Sequence, residues 1–202
     1  MVQLPIPPKQ RRSETTLLRL LEAVRELIAD RDYDDVSVEE ICQHALVSKS
    51  SFYARFPSKA ALLQTLFEVY RQEALDTQAT TQAKALAATT VEDIWFEVSY
   101  AFWNHVWRNA SLLKCIERAP FSEQSMVDFT NLEPLVLLMQ WHPASRHLDP
   151  ARVHFAGTCL RAIVLRMCFA RLEPEGMTHD QFVRQCARMA TLYVEAPDPE
   201  AP

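Results

Sequence analysis

The sequence predicts an all-α protein, and three observations carry that prediction. Glycine occurs only twice in 202 residues, at Gly157 and Gly176, whereas tight β-turns and hairpins ordinarily require glycine or asparagine. Apolar residues recur at three- and four-residue spacing, the period of a helix face. Prolines and short polar residues interrupt those stripes where helices start and stop.

Taken in order, Leu17, Leu20, Leu21, Val24, Leu27 and Ile28 mark a first helix over 13–30. Ser37 is a good N-cap, and Glu40 three residues later completes a capping box for a helix over 38–44. Val38, Ile41, Cys42 and Ala45 form the apolar stripe of that helix. Ser48 caps the next helix, 48–55, whose inward side is Val47, Phe52 and Phe56. Pro57 stops it, because the residue before a proline avoids helical geometry. Ser58 then caps a long helix carrying Leu62, Leu63, Leu66, Phe67 and Tyr70, which continues through the Ala/Thr-rich stretch 76–90 before a turn. Thr90 and Asp93 start a helix to about 109, and a short one is expected over 110–118. Pro120 interrupts, and a segment near 122–130 leads to Glu133–Pro134, the first turn of a helix ending at Trp141–His142–Pro143. Asp149–Pro150 is a cap followed by proline at the first helical position, opening a long helix to about 171. Glu173–Pro174–Glu175–Gly176 reads as a turn, Thr178 caps the last helix, and Pro197 lies beyond its end. The proline-rich ends 1–8 and 197–202 are expected to be disordered.

The stretch 35–63 is the most informative part. Two short helices joined by a tight turn leave the second free to enter a DNA groove. The outward residues of helix 48–55 are Ser48, Lys49, Ser50, Ser51, Tyr53 and Arg55. Hydroxyls, a phenol and two cations suit phosphates and base edges. Lys59 and the amides after Ser58 sit at a helix N-terminus, where backbone N–H groups attract a phosphate. Arg11 and Arg12, with Lys9, precede helix 1 as a basic arm.

In residues 13–67 the chain resembles the tetracycline-repressor (TetR) family of bacterial regulators. The matching residues are Ala45, Val47, Ser48, Phe52, Tyr53, Phe56, Pro57, Ser58, Lys59 and Leu62; the remaining helices match in layout only. The resemblance implies that Ser37, Lys49, Ser51, Tyr53 and Lys59 touch DNA. It also implies a helix-turn-helix domain followed by a helical bundle that binds a ligand and dimerises. Two positions depart from the pattern: Leu46 and Ser50 stand where the family usually has glycine. A leucine forced to positive φ costs about 1 kcal/mol or more. The organisation read from this is an arm at 1–12, a helix-turn-helix domain at 13–57, a connecting helix at 58–80, an effector-binding and dimerisation domain at 81–196, and a tail at 197–202.

Charge supports a narrow DNA-binding surface. The chain carries a formal net charge of −5, which argues against indiscriminate nucleic-acid binding. Residues 1–75 hold ten Lys/Arg against eleven Asp/Glu, so placement of the cations, not their number, has to do the work. The acids Asp30, Asp32, Asp34, Asp35, Glu39 and Glu40 crowd the junction between the first two helices. The footprint is therefore small, and affinity requires two half-sites.

Two further regions invite partners. Val153, Ala156, Gly157, Leu160, Ile163, Val164 and Met167 line one face of the helix near 150–171, and Phe182, Cys186, Met189, Ala190 and Tyr193 line that near 178–195. Periodicity alone fits a monomer core as well as a dimer interface; the resemblance implies a homodimer through these helices, which also suits a palindromic operator. Helix 91–109 carries Trp95, Phe96, Tyr100, Phe102, Trp103 and Trp107. These are either core or one wall of an effector pocket, with Met126, Phe129, Leu138, Met139, Trp141 and His142 on the other. Such a lining favours a small apolar or aromatic molecule.

Catalysis finds no support. The six histidines are scattered, and there is no HExxH, GxSxG, phosphate loop or zinc spacing. No metal or cofactor is expected. The five cysteines (42, 115, 159, 168, 186) are odd in number and form no CxxC pair, as expected of a reduced cytoplasmic protein. No signal peptide and no membrane-spanning run are expected. The expected function is a ligand-responsive transcriptional regulator, more often a repressor in this class, with a DNA-binding architectural protein lacking an effector as the alternative.

Overall fold

The computed structural model describes residues 8–117 and 132–197, with side chains from 14 to 116 and from 132 to 197. Expectations that fall on 1–7, 118–131 and 198–202, Met126 and Phe129 among them, lie outside the described residues. So do the side chains of Arg11 and Arg12.

Every long regular element is a helix: α1 Pro8–Leu27, α2 Val38–His44, α3 Lys49–Tyr53, α4 Lys59–Ala87, α5 Val91–Glu117, α6 Glu133–Trp141, α7 Pro150–Ala170 and α8 His179–Glu195. A single 3-10 turn, Tyr33–Asp35, lies between α1 and α2. The all-α expectation therefore holds, and among the described residues there is no strand.

The caps fall where sequence placed them. The Ser37 hydroxyl accepts from the Glu40 amide while the Glu40 carboxylate accepts from the Ser37 amide, the reciprocal capping box. Ser48 accepts from the Ser51 amide, Ser58 from that of Ala61, Thr90 from that of Asp93 and Asp149 from that of Ala151. Thr178 forms a second capping box, with Gln181.

Three boundaries differ from the sequence expectation. α1 begins at Pro8 and ends at Leu27, so the backbone at Arg11 and Arg12 is helical, not an arm leading into the helix. The recognition helix is shorter than 48–55, with Ala54 as its C-cap. α5 is one helix from Val91 to Glu117, where two were expected. No proline or glycine interrupts it near Asn109, and the Asn109 amide is satisfied along the helix by the His105 carbonyl.

The chain divides into two compact units, Met1–Arg71 with Ser111–Ala119, and Gln72–Ala110 with Pro120–Pro202. In the first, Leu20, Val24, Ile41, Phe52, Leu62, Leu66 and Tyr70 are fully buried, joined by Ile116 from the end of α5. Phe52 is the anchor of the recognition helix; burying a side chain of that size contributes roughly 2–3 kcal/mol. In the second unit, α6, α7 and α8 pack in sequence around a core of Val91, Ile94, Trp95, Leu135, Met139, Val153, Leu160, Ala187 and Val194. Gly157 serves α6 here: a Cβ built on it would lie 3.2 Å from a Leu132 methyl and 3.3 Å from one of Leu135. The close approach that Gly157 permits is used within the chain.

α7 ends on Arg171 in the left-handed region, with φ 52°. That conformation costs about 1 kcal/mol for a residue other than glycine. The Arg171 guanidinium donates to the Trp107 carbonyl and covers the Trp107 ring, contacts that hold the cap. Against the sequence expectation, α7 is long and apolar enough to cross a membrane by length and composition. Its burial against α6 and α8 accounts for that composition on one side: Val153, Ala156, Leu160, Val164 and Cys168 all face the core.

Candidate nucleic-acid interface

The helix-turn-helix is built from α2, a turn at Ala45–Val47, and α3. Leu46 occupies the turn with φ 54° and is 84% exposed. The leucine thus adopts the left-handed geometry, at the expected strain. Phe52 and Phe56 face inward with ring centroids 5.7 Å apart. Their burial turns the opposite side of α3 outward. Ser37, Ser48, Lys49, Ser50, Ser51 and Tyr53 are all exposed, Tyr53 at 56%, with its ring edge-on to Phe52. Arg55 is half-buried.

Hydrogen bonding sorts these residues further. The Ser48 hydroxyl caps the helix and lies 3.0 and 2.8 Å from the Ser50 and Ser51 hydroxyls, forming a three-hydroxyl cluster at the N-terminus of α3. The Lys49 ammonium pairs with Glu39 at 2.8 Å, and this partner raises the lysine's pKa. Lys49 is therefore fully charged, and any phosphate has to displace Glu39 to reach it. Arg31 pairs with Glu40 at 2.9 Å and donates to the Asp35 carbonyl. The amide of Ser37 and then Arg31 hold the Glu40 carboxyl down at about 2.

Lys59 behaves differently from its sequence reading. Its ammonium donates to the carbonyls of Tyr33, Asp34 and Val36 at 2.7, 3.2 and 2.9 Å and lies over the Tyr33 ring. An ammonium has three hydrogens, and here all three are committed to the 3-10 turn. The Tyr33 hydroxyl donates back to the Lys59 carbonyl at 2.6 Å, and burial pushes its phenol pKa up. This reciprocal clamp fixes the start of α4 against the turn before α2. Its backbone amides, not the Lys59 side chain, are what this helix end offers a phosphate. Sequence reasoning missed both Tyr33 and Glu39. A 26-residue separation hid the first, and the second was counted only among the acids at the junction of the first two helices.

In the second unit, Trp95, Trp103, Met139 and His142 are buried, while Phe96, Tyr100, Phe102 and Trp107 are half-buried. Trp141 is 81% exposed and so lines no interior of this chain; it is the last residue of α6. Trp103 and Trp107 stack at 5.5 Å, with the His179 ring against both and Phe182 against Trp103. Phe96 stacks on Tyr100, and Arg184 caps the Phe96 face. The aromatic load is thus divided between a packed core and a rim. Thiol chemistry finds no foothold in three of the cysteines, because burial raises the pKa of Cys42, Cys168 and Cys186, that of Cys168 to about 12. Among the described residues no group of three or more His, Cys, Asp or Glu could hold a metal ion.

Residues 20–66 match the family model of bacterial regulatory proteins, tetR family. The HTH-type transcriptional regulator EthR of Mycobacterium tuberculosis is 36% identical over 78 residues, which span 39% of this chain and 36% of EthR. The uncharacterised HTH-type transcriptional regulator YuxN of Bacillus subtilis is 39% identical over 51 residues, 25% of this chain and 18% of that one. The match therefore spans about a third or less of these relatives' length. Whole-chain likeness appears in structure. A TetR-family regulator from Mesorhizobium loti superposes with a TM-score of 0.67 at 16% identity, covering 89% of this chain and 95% of the other. The fatty acid degradation regulator FadR from Bacillus halodurans does so at 0.67 and 13%, covering 96% and 100%.

Proposed function

Because the chain belongs to the tetR family of bacterial regulatory proteins, we propose that it is a cytoplasmic transcriptional repressor that binds a palindromic operator as a homodimer and releases it on binding a small apolar effector. The observation that carries the DNA-binding part is the outward face of α3. There, Ser48, Lys49, Ser50, Ser51 and Tyr53 stand exposed on a helix whose other side is locked by Phe52 and Phe56. Ser37 and the amides at the start of α4 add backbone contacts.

Pairing is supported by apolar surface on α7 and α8. Phe155, Met189, Leu192 and Tyr193 are exposed, and Phe155 and Tyr193 pack ring to ring at 5.5 Å. A second copy covering them gives the pair two recognition helices, which is what an operator with two half-sites about 10 base pairs apart requires. Effector action requires that the ligand bind the DNA-free conformation more tightly than the DNA-bound one.

The test is a gel-shift titration of the purified protein against DNA flanking its own gene, at two salt concentrations and with excess unrelated DNA. Saturable, salt-sensitive binding that survives the competitor is expected. Binding that the competitor abolishes would favour the architectural reading, in which DNA is held without an effector or a defined operator.

A further inference from the structure

Trp95 is only 1% exposed, and its indole N–H has no hydrogen-bond acceptor. Several other buried polar groups of this unit do have acceptors or donors within it. The Ser145 hydroxyl donates to the Met139 carbonyl, Thr191 to that of Ala187 and Asn109 to that of His105, while the His142 ring accepts from the Ala144 amide. Native interiors pair nearly all such groups, and an orphaned donor bears its full desolvation cost. Trp95 belongs to a buried apolar cluster with Val91, Ile94, Leu135, Val136, Leu138, Met139 and Leu148.

We propose that the Trp95 indole N–H is the polar contact of the effector, and that the effector is a neutral, largely apolar molecule carrying one acceptor oxygen, such as a ketone, ester or ether. This rests on the effector reading above and narrows it. A carboxylate is disfavoured because the members of the cluster are apolar, and a buried charge without a partner among them costs far more than a neutral acceptor. An alkane is disfavoured because it leaves the donor orphaned. Met139, fully buried in the same cluster, is unbranched and adapts its shape readily, so it is the side chain that yields room.

The test uses the full-length protein labelled with 15N-tryptophan and three probes of matched size: acetophenone, ethylbenzene and benzoate. Among the indole resonances, the one missing from Trp95→Phe is that of Trp95. It is expected at the upfield position of an unbonded N–H, and acetophenone should move it downfield saturably while ethylbenzene and benzoate do not. By titration, Trp95→Phe should weaken acetophenone about tenfold and leave ethylbenzene unchanged. Three results overturn the proposal. One is a Trp95 resonance already at the hydrogen-bonded position. Another is an acetophenone response confined to other indoles, which retains the effector site but not its polar contact. The third is no response from any indole, which removes the effector reading too while leaving the gel shift untouched.

Discussion

Replacing Lys59 with methionine separates a structural lysine from a phosphate-binding one. The substitution keeps the length of the side chain and removes three charge-assisted hydrogen bonds to the carbonyls of Tyr33, Asp34 and Val36. Hydrogen bonds to charged groups contribute about 1.5–3 kcal/mol each in mutational series. The two part-buried bonds dominate, and bonds sharing one ammonium are not additive, so a net loss of about 2–4 kcal/mol is expected. For a chain of this size that corresponds to a melting point lower by roughly 5–15 °C. The Tyr33 hydroxyl keeps its backbone acceptor, so the fold should survive at low temperature. Urea unfolding followed by circular dichroism measures the stability, and a gel-shift salt series at low temperature measures the electrostatics. Losing a phosphate contact on each protomer would flatten the dimer's log-log salt slope by about 1.8. We expect an unchanged slope with a lowered urea midpoint. A flattened slope with an unchanged midpoint would refute the clamp and restore Lys59 to the interface.

Three further outcomes follow from the same geometry. Glu39→Gln frees the Lys49 ammonium and should raise affinity for operator and unrelated DNA alike, severalfold at most for an exposed pair; in a Lys49→Ala background most of that gain should vanish, and a gain that persists there would show that Glu39 acts by general repulsion. The Glu40 carboxyl is depressed from 4.5 to about 2, so its contribution to the capping box is complete above about pH 4.5 and is lost as pH falls toward 2; urea midpoints at pH 5 and pH 3 should diverge more for the parent than for Glu40→Gln, and equal divergence would mean that other acids govern the loss. Burial raises the thiols of Cys42, Cys168 and Cys186, so a native thiol titration at pH 8 should leave these three unreacted until denaturant is added; rapid modification of all five cysteines would contradict their placement.

How much the sequence revealed depended on whether the signal was local. Caps at Ser37, Ser48, Ser58, Thr90, Asp149 and Thr178 were all legible, because each requires only a side chain two or three residues from an amide. The positive φ at Leu46 was legible only through the resemblance, which puts glycine at that position of the turn. The continuity of α5 past Asn109 was not, because the absence of a breaker is a weaker signal than its presence. Trp141 was assigned to a pocket from its neighbours in sequence, yet packing of Leu138 and Met139 turns it to solvent. The clamp between Tyr33 and Lys59 joins residues 26 apart, and nothing in a linear pattern marks such a pair. Its consequence is specific: a residue matching a DNA-contact position spends its charge on the fold.

That redistribution of charge changes what must give this protein its affinity. Of the cations around the helix-turn-helix, Lys59 is committed to carbonyls, Lys49 to Glu39 and Arg31 to Glu40. Only Lys49 stands on the recognition helix with a partner that an incoming phosphate can displace, since an exposed ion pair contributes at most about 1 kcal/mol. Four or five neutralised phosphates per protomer, the number suggested by the raw count of cations, would give a dimer slope of roughly −7 to −9. With Lys59 removed from the set, about three or four per protomer remain and the slope falls to roughly −5 to −7. A protein with so small an ionic term binds generic DNA weakly. On the proposed reading, the three-hydroxyl cluster of Ser48, Ser50 and Ser51 and the exposed Tyr53 ring supply the discrimination, because hydroxyls and a phenol can contact base edges without adding charge. On that reading, a single recognition helix with so few cations is too little for stable occupancy, which is the physical reason that it calls for two half-sites and two copies of the chain.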